Sequence, residues 1–294
     1  MTPTTRELWQ VTEGLHAVAY FAPEVAEAVA AAGVRGWWRG YFAGRAAPMG
    51  AVGAAVVAAT FANFSPAMVA RNLPSAWTMA SPAEVEHARQ HGLEQAFARI
   101  DGPDGALVAA IEPVAALLDR AADSAPLLGR PLAAAWADAR RRRLDAGASG
   151  VALRAWLATT VLREHRGDAH VAALAAAGLD GCEAHLTLAG TGRVPAELLR
   201  EARGWSEDEW ASASDRLVTR GLLHPDGRLT AAGIATRSAV EDATDRSAHA
   251  PWSSLDDEER GAVVATLGPL GAVLAERAPI RVPNPMGWEP SSPG

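Results

Sequence analysis

From residue 150 to 250, apolar positions recur at helical spacing and are interrupted by single glycines. Leu153 to Glu164, Ala169 to Ala177 and Gly181 to Ala189 have helical composition, with Gly167, Gly178 and Gly190 as breaks. Pro195 suits the first turn of a further helix ending near Gly204. Ser206 caps another, whose Glu207, Asp208 and Glu209 are favourable at the positive end of the helix dipole and which Gly221 stops. Leu222 to Thr230 reads as two short strands around the turn Pro225-Asp226-Gly227, and the chain is helical again from Ala231.

The first half repeats parts of this pattern. AVAAAGVRG (Ala28 to Gly36) matches ALAAAGLDG (Ala173 to Gly181) at an offset of 145 residues. A tryptophan followed by a serine-capped acidic helix occurs at Trp77 and again at Trp205. Pro103-Asp104-Gly105 before a long alanine-rich helix matches Pro225-Asp226-Gly227 before another. Alanine-rich matches arise easily by chance, but three blocks in the same order predict an internal duplication. Gly36 and Trp77 are 41 positions apart and Gly181 and Trp205 are 24 apart, which places an insertion of 17 residues in the first half, around 48–66.

Helix, turn, helix, hairpin and helix is the order of a winged helix. The stretch from Val194 to Arg246 resembles MarR-type regulators in Asp215-Arg216-Leu217-Val218-Thr219-Arg220-Gly221-Leu222-Leu223, the wing turn Asp226-Gly227-Arg228, and Leu229-Thr230-Ala231-Ala232-Gly233. Through HAVAYFAPE (from His16), GYFAGRAAP (from Gly40) and LREHRGDAHVAAL (from Leu162), the whole chain resembles an actinobacterial helix-turn-helix family. That second resemblance implies a fold and no activity. MarR-type proteins are dimers with a ligand pocket near the junction of the dimerisation helices and the winged helix, so the resemblance implies that a fused duplicate forms an equivalent pseudo-dimer in one chain, with no oligomer required. The expected fold is mostly α: two tandem winged-helix-like repeats with short β-hairpin wings. The first repeat spans 1–130 and the second 150–250, with a connecting helix and linker at 131–149 and a C-terminal helix and disordered tail at 251–294.

Composition narrows the possible partners. The 27 basic residues are all arginine and the net charge is −7, so the molecule as a whole repels polyanions and nucleic acid would require a local basic patch. The densest run, Arg140 to Arg143, points in four directions around a helix and is expected to be a solvated face. The presumptive recognition helix opens on Ser206-Glu207-Asp208-Glu209-Trp210, and its first-half counterpart on Pro82, Ala83, Glu84 and Glu86; carboxylates there oppose approach to a duplex. Arg216, Arg220 and Arg228 remain as phosphate contacts, although Arg216 and Arg220 can equally pair with nearby acids. Met1 to Glu13 lacks a signal-peptide core and the longest apolar run, Ala51 to Ala59, is too short to span a bilayer. With the lone Cys182 in an apolar segment, a cytoplasmic protein with no membrane partner is expected.

The segment Arg163-Glu164-His165-Arg166-Gly167-Asp168-Ala169-His170 holds six ionisable side chains between apolar helices and is awkward to bury without pairing or a ligand. If Gly167 breaks the helix, Asp168 caps the next one. The equivalent junction of the first half is Tyr20-Phe21-Ala22-Pro23-Glu24, so a single asymmetric pocket is expected between the halves. Its ligand-binding residues would be His16, Tyr20, Glu24, Tyr41, Arg45, Phe61, Phe64, Arg163, His165, Arg166, Asp168 and His170. Arginines there would hold a small, anionic ligand while Trp37, Trp38, Tyr41, Phe61 and Phe64 line an apolar wall, although the aromatic spacing also suits plain core packing. The leading expectation is a small-molecule-binding protein, either a sensor or a sequestering protein. An alternative is a cofactor-independent enzyme using His165 or His170 as general base, with Glu164 or Asp168 orienting it. The other is a DNA-binding transcriptional regulator. No metal site is expected, since His165, Asp168 and His170 lack the i, i+4 spacing of helical zinc motifs; no cofactor is expected either, as no GxGxxG, P-loop, GxSxG elbow or cysteine pair occurs.

Overall fold

A computed structural model describes residues 2–147 and 150–290. Fourteen α-helices follow one another among these residues: α1 (Thr5–Phe21), α2 (Pro23–Ala31), α3 (Trp37–Ala46), α4 (Ala54–Phe61), α5 (Pro66–Asn72), α6 (Pro82–Asp101), α7 (Ala106–Asp123), α8 (Pro131–Asp145), α9 (Val151–Ala176), α10 (Gly181–Ala189), α11 (Ala196–Ala202), α12 (Glu207–Thr219), α13 (Ala231–Ala248) and α14 (Asp257–Arg277). The starts are strongly specified. Thr4 with Glu7, Ser81 with Glu84, Asp180 with Glu183, Ser206 with Glu209 and Asp256 with Glu259 form reciprocal capping boxes that satisfy backbone donors left open at a helix N-terminus.

The centre of the molecule is α9, packed on α1, α7, α8 and α13. It runs unbroken through Gly167, against the expected break there. A mid-helix glycine costs about 1 kcal/mol relative to alanine, which tertiary packing on several sides outweighs. Asp168 therefore does not cap a helix of its own. Its Oδ2 instead accepts the backbone N–H groups of Leu132 (3.1 Å) and Ala133 (2.9 Å), capping α8 from outside, where the N-cap residue Arg130 supplies no side-chain bond.

Two apolar cores result. The larger gathers residues of α1 to α9 and α14 with the C-terminal segment. The smaller gathers Leu174, Leu179, Cys182, Leu186, Ala213, Leu217, Leu222, Leu223 and Val240 around the helix-turn-helix of α10 to α13. The expected hairpin wing shrinks to a single antiparallel bridge between Leu223 and Leu229, and no longer strand occurs among the described residues. In the first half the turn at Pro103 to Gly105 passes directly from α6 into α7, with no wing at all. A two-stranded ribbon without a third strand or a broad apolar face holds little pairing on its own.

Other differences have similar causes. Arg140 is buried between Asp119 and Asp123 and Arg143 pairs with Glu86, so only Arg141 and Arg142 of that run face outwards, on Asp138. Beyond α14, the stretch expected to be disordered folds back, burying Trp288 with its indole N–H on the Gln10 carbonyl (2.8 Å); residues 291–294 of that tail lie outside the described residues. The segment 48–66, expected to be an insertion, is helical in α4 and docks at its end onto α10 and α11. Asn63 O bonds His185 Nε2 (3.0 Å), and the Ser65 N–H donates to Arg203 O (2.9 Å).

That docking depends on Gly181. A Cβ there would lie 1.8 Å from the Ala62 carbonyl oxygen. Gly181→Ala is expected to cost about 3 kcal/mol by overpacking, read as a lower denaturation midpoint, whereas Gly261→Ala, inside α14 with nothing within 4 Å, should stabilise by up to about 1 kcal/mol through helix propensity. Equal midpoints for the two variants would contradict the close approach.

Candidate functional site

The polar stretch of α9 is buried because other elements bring charges to meet it. Glu164, 1% exposed, accepts two parallel bonds from Arg45 of α3, Nε to Oε1 at 2.9 Å and Nη2 to Oε2 at 2.8 Å, and a third from Arg163 Nη1 at 2.8 Å. Burial alone would raise its pKa, but Arg163 and Arg45 together hold it well below the ordinary carboxylate range. Arg163 also lies 3.7 Å from Glu13 of α1, which accepts the Trp9 indole N–H at 3.0 Å. Glu13 titrates above its usual value because burial outweighs that neighbour.

These side chains form one wall of a cavity of about 210 Å³. Thr60, Phe61 and Asn63 at the end of the insertion, His185 of α10, Arg203 after α11, Arg237 and Glu241 of α13, and Pro285 to Gly287 complete it. Seven arginines (6, 45, 163, 166, 193, 203 and 237) and four carboxylates (Glu13, Glu164, Asp168, Glu241) line it, a local positive surplus in an acidic protein. Arg166 pairs with Asp245 (2.7 Å), and Arg237 with Glu241 (3.1 Å). Arg203 differs. It is 8% exposed, its Nη2 donates only to the Pro285 carbonyl (2.8 Å), its Nε has no partner, and it makes no ion pair among the described residues. Burial, with Arg45 and Arg163 nearby, pushes its pKa down to about 10, so it stays charged at neutral pH at an energetic cost. Its guanidinium lies 4.6 Å from the Phe64 ring centroid.

Arg45, Phe61, Arg163, Glu164, Arg166, Asp168 and His170 thus meet in one cavity, with Phe64 beneath Arg203. His16, Tyr20 and Tyr41 lie outside its lining in two bonded sets: His16 Nδ1 with Thr160 Oγ1 (3.0 Å) and His16 Nε2 with the Tyr20 hydroxyl (2.9 Å), and, separately, Arg45 Nη1 donating to the Tyr41 hydroxyl (3.5 Å). Glu24 is elsewhere, paired with Arg99. His165 lies away from the cavity on another face of α9; its carbonyl accepts from Arg130 (2.6 Å) and its buried ring nitrogens have no partner. Glu13, Arg203 and Arg237 were missed by the sequence reading. Glu13 and His16, polar and one turn apart on an apolar helix, were the available signal for the first; Arg203 and Arg237 carried none.

The exposed helix-turn-helix face is different in character. Arg216 pairs with Asp180 (2.5 Å) and Glu183 (2.9 Å), Arg220 donates to the Gly178 carbonyl (2.8 Å), and Arg228 pairs with Asp226 beside it (2.7 Å). α6, expected to be the first-half counterpart of α12, is packed on α2, and Glu86 near its start is held by Arg143. A family model described as a helix-turn-helix family matches residues 5–280. The chain belongs to this helix-turn-helix family. Membership gives it a helical domain of DNA-binding type. No curated protein and no solved structure matches it significantly. No single helix among the described residues of this family member is long and apolar enough to cross a membrane, and no group of three His, Cys, Asp or Glu side chains there is placed to hold a metal ion. Cys182 is buried, and burial pushes its thiol up to about 12.

Buried histidines set the expected pH response. His165 and His170 are pushed down to about 4 and His185 to about 3, in each case chiefly by burial. Folded values below the unfolded value of about 6.5 stabilise fully above pH 6.5 and progressively less as pH falls towards 4. Asp168, raised to about 6 by burial, acts oppositely, its contribution being lost as pH rises through 6. Three histidines outweigh one aspartate. The thermal midpoint should drop from pH 7 to pH 4.5, and His170→Gln, which can keep the bond to Thr244 Oγ1 (3.0 Å), should drop less. Midpoints unchanged between the two pH values would contradict the buried neutral rings.

Proposed function

We propose that the protein binds a small organic or inorganic anion in the arginine-lined cavity, as a sensor or sequestering protein in a reducing cytoplasm. The observation that carries this reading is Arg203, a buried guanidinium without a carboxylate partner, beside Arg45 and Arg163, which share the single charge of Glu164. A buried charge is tolerated when paired, and here the missing partner has a cavity to occupy. Arg163, Arg166, Asp168 and His170 of the α9 cluster, with Arg45 and Phe61, are the remaining proposed ligand-binding residues.

The scaffold we infer is a degenerate duplicate of a MarR-like winged helix, with repeats over 1–130 and 150–250. Supporting this, α7 and α13 each follow the corresponding turn with 18 residues and Ser81 and Ser206 both head capping boxes, whereas the break between α1 and α2 has no equivalent in α9, which continues through Gly167. The regulator reading draws on family membership, yet Arg216, Arg220 and Arg228 are all engaged internally and the leading turn of α12 is acidic. The enzyme reading has less support. His170 alone of its proposed bases reaches the cavity, titrating near 4, and the Glu164 carboxylate is occupied by two arginines.

Thermal shift and calorimetry with phosphate, pyrophosphate and citrate, at constant ionic strength against chloride, test the proposal. At least one of these multivalent anions should raise the midpoint, and Arg203→Gln should weaken its binding by tenfold or more, roughly one lost charge-assisted hydrogen bond. An Arg203→Gln protein that binds the same anion as tightly as the parent, or no anion-specific shift in the parent, would sink it.

A further inference from the structure

A second cavity, of about 310 Å³, opens between α1, α2, α3 and α6. Its walls are apolar, formed by Val25, Val29 and Ala30 of α2, Val34, and the stacked rings of Trp37 and Tyr41, whose centroids are 5.6 Å apart and inclined at 20°. Trp37 is 46% exposed, which an aromatic ring at the rim of an accessible pocket would be and one in a filled core would not. Two charged side chains line it, the exposed Glu27 of α2 at the rim and one that reaches it from within the fold. Arg89 of α6 is 4% exposed and makes no ion pair among the described residues; its Nη1 donates to the Gly44 carbonyl and the Tyr20 hydroxyl is its other polar neighbour, so no carboxylate meets the guanidinium.

The faces of that guanidinium are accounted for. Tyr20, Trp136 and Trp156 present their rings to it at 5.4, 5.3 and 5.3 Å, which keeps a buried cation tolerable. Ring faces satisfy charge but not the N–H groups along the guanidinium edge, which call for a planar acceptor. We propose that this cavity is a second binding site, separate from the arginine-lined one, for a small apolar monocarboxylic acid whose carboxylate meets Arg89 and whose aromatic or branched body lies between the α2 valines and Trp37. The two sites ask for opposite chemistry. The cavity around Arg203 is polar and several-fold cationic, while this one offers a single buried cation at the end of a greasy slot with the Glu27 carboxylate in solvent at its rim, so a compact polyanion fits the first and an apolar monoanion, its carboxylate held at the inner end, the second. The volume suits an acid of about ten heavy atoms.

The test uses the full chain with phenylacetate and 3-methylbutanoate as probes and phenylacetamide and 3-methylbutanamide as their uncharged counterparts, followed by calorimetry and ligand-observed NMR. At least one acid should bind with a dissociation constant below about 1 mM and its amide about tenfold more weakly or not at all, the difference expected for one charge-assisted contact. Arg89→Gln should remove the preference for acid over amide. Ala30→Trp, at a half-buried wall position, should block both ligands while leaving the fold intact, so the result stands even if Arg89→Gln is unstable. Neither acid binding at 10 mM, amides binding as well as acids, or unchanged binding in Ala30→Trp would each overturn the proposal. So would loss of phenylacetate binding in Arg203→Gln, which would put the acid in the other cavity. Because Ala30 and Arg89 do not line the arginine-rich cavity, failure there and failure here read out separately.

Discussion

The clamp on Glu164 is what allows α9 to carry charge through the middle of the protein. A fully buried carboxylate left alone would neutralise or unfold its surroundings; with Arg45 and Arg163 on its oxygens it stays ionised. The contact ties α3 to α9, and Arg163 extends it towards Glu13 of α1. Three helices distant in sequence are thereby set in register by groups whose loss would strand a charge. Truncating one member of such a pair typically costs about 3–5 kcal/mol, far more than the pair contributes relative to apolar packing. Its structural value lies in specificity rather than in net stability.

One consequence concerns the helix-turn-helix of α10 to α13. Its own core is small; α13 packs on α9, and α10 and α11 are held by Asn63 on His185, Ser65 on Arg203, and the bare backbone of Gly181 against Ala62. The segment 60–65 thus serves as the bracket on which α10 and α11 sit, and Thr60, Phe61 and Asn63 also line the arginine-rich cavity. The same short segment sets both the domain contact and one cavity wall.

How much of this was legible in the sequence follows the range of each interaction. Helix caps such as Ser81 and Ser206 act over three residues and were readable. Gly167 misled because a local rule, glycine as a breaker, was overruled by packing that no local pattern reveals. Asp168 kept its capping chemistry but applied it to α8, 36 positions away from Leu132 in sequence. The α9 charge cluster was recognisable as unusual and supplied Arg163, while Arg45 was picked from the first half as a residue expected to face it. Arg203 was not, since an arginine ahead of Gly204 and Trp205 looks like any exposed helix end until the fold buries it. His165 shows the reverse. Its type and neighbours suggested chemistry, but helical geometry turns it away from the cavity that its neighbours line.

The two cavities are not independent in their construction. Tyr41 lines the apolar one and receives a hydrogen bond from Arg45, which lines the cationic one; Tyr20 lines the apolar one and leads through His16 to Thr160 on α9. Arg203 stands at the end of α11, followed within three residues by Ser206, the cap of α12. Any partner that fixes the Arg203 guanidinium also fixes the turn from which α12 departs. On the proposed reading, then, an anion in the first cavity acts on the placement of the exposed helix, and an acid in the second acts on the side chains that orient Arg45. Arg45 and Tyr41, each lining one cavity and bonded to the other, are where the two linings meet, and coupling between the sites requires that each ligand favour one arrangement of that pair.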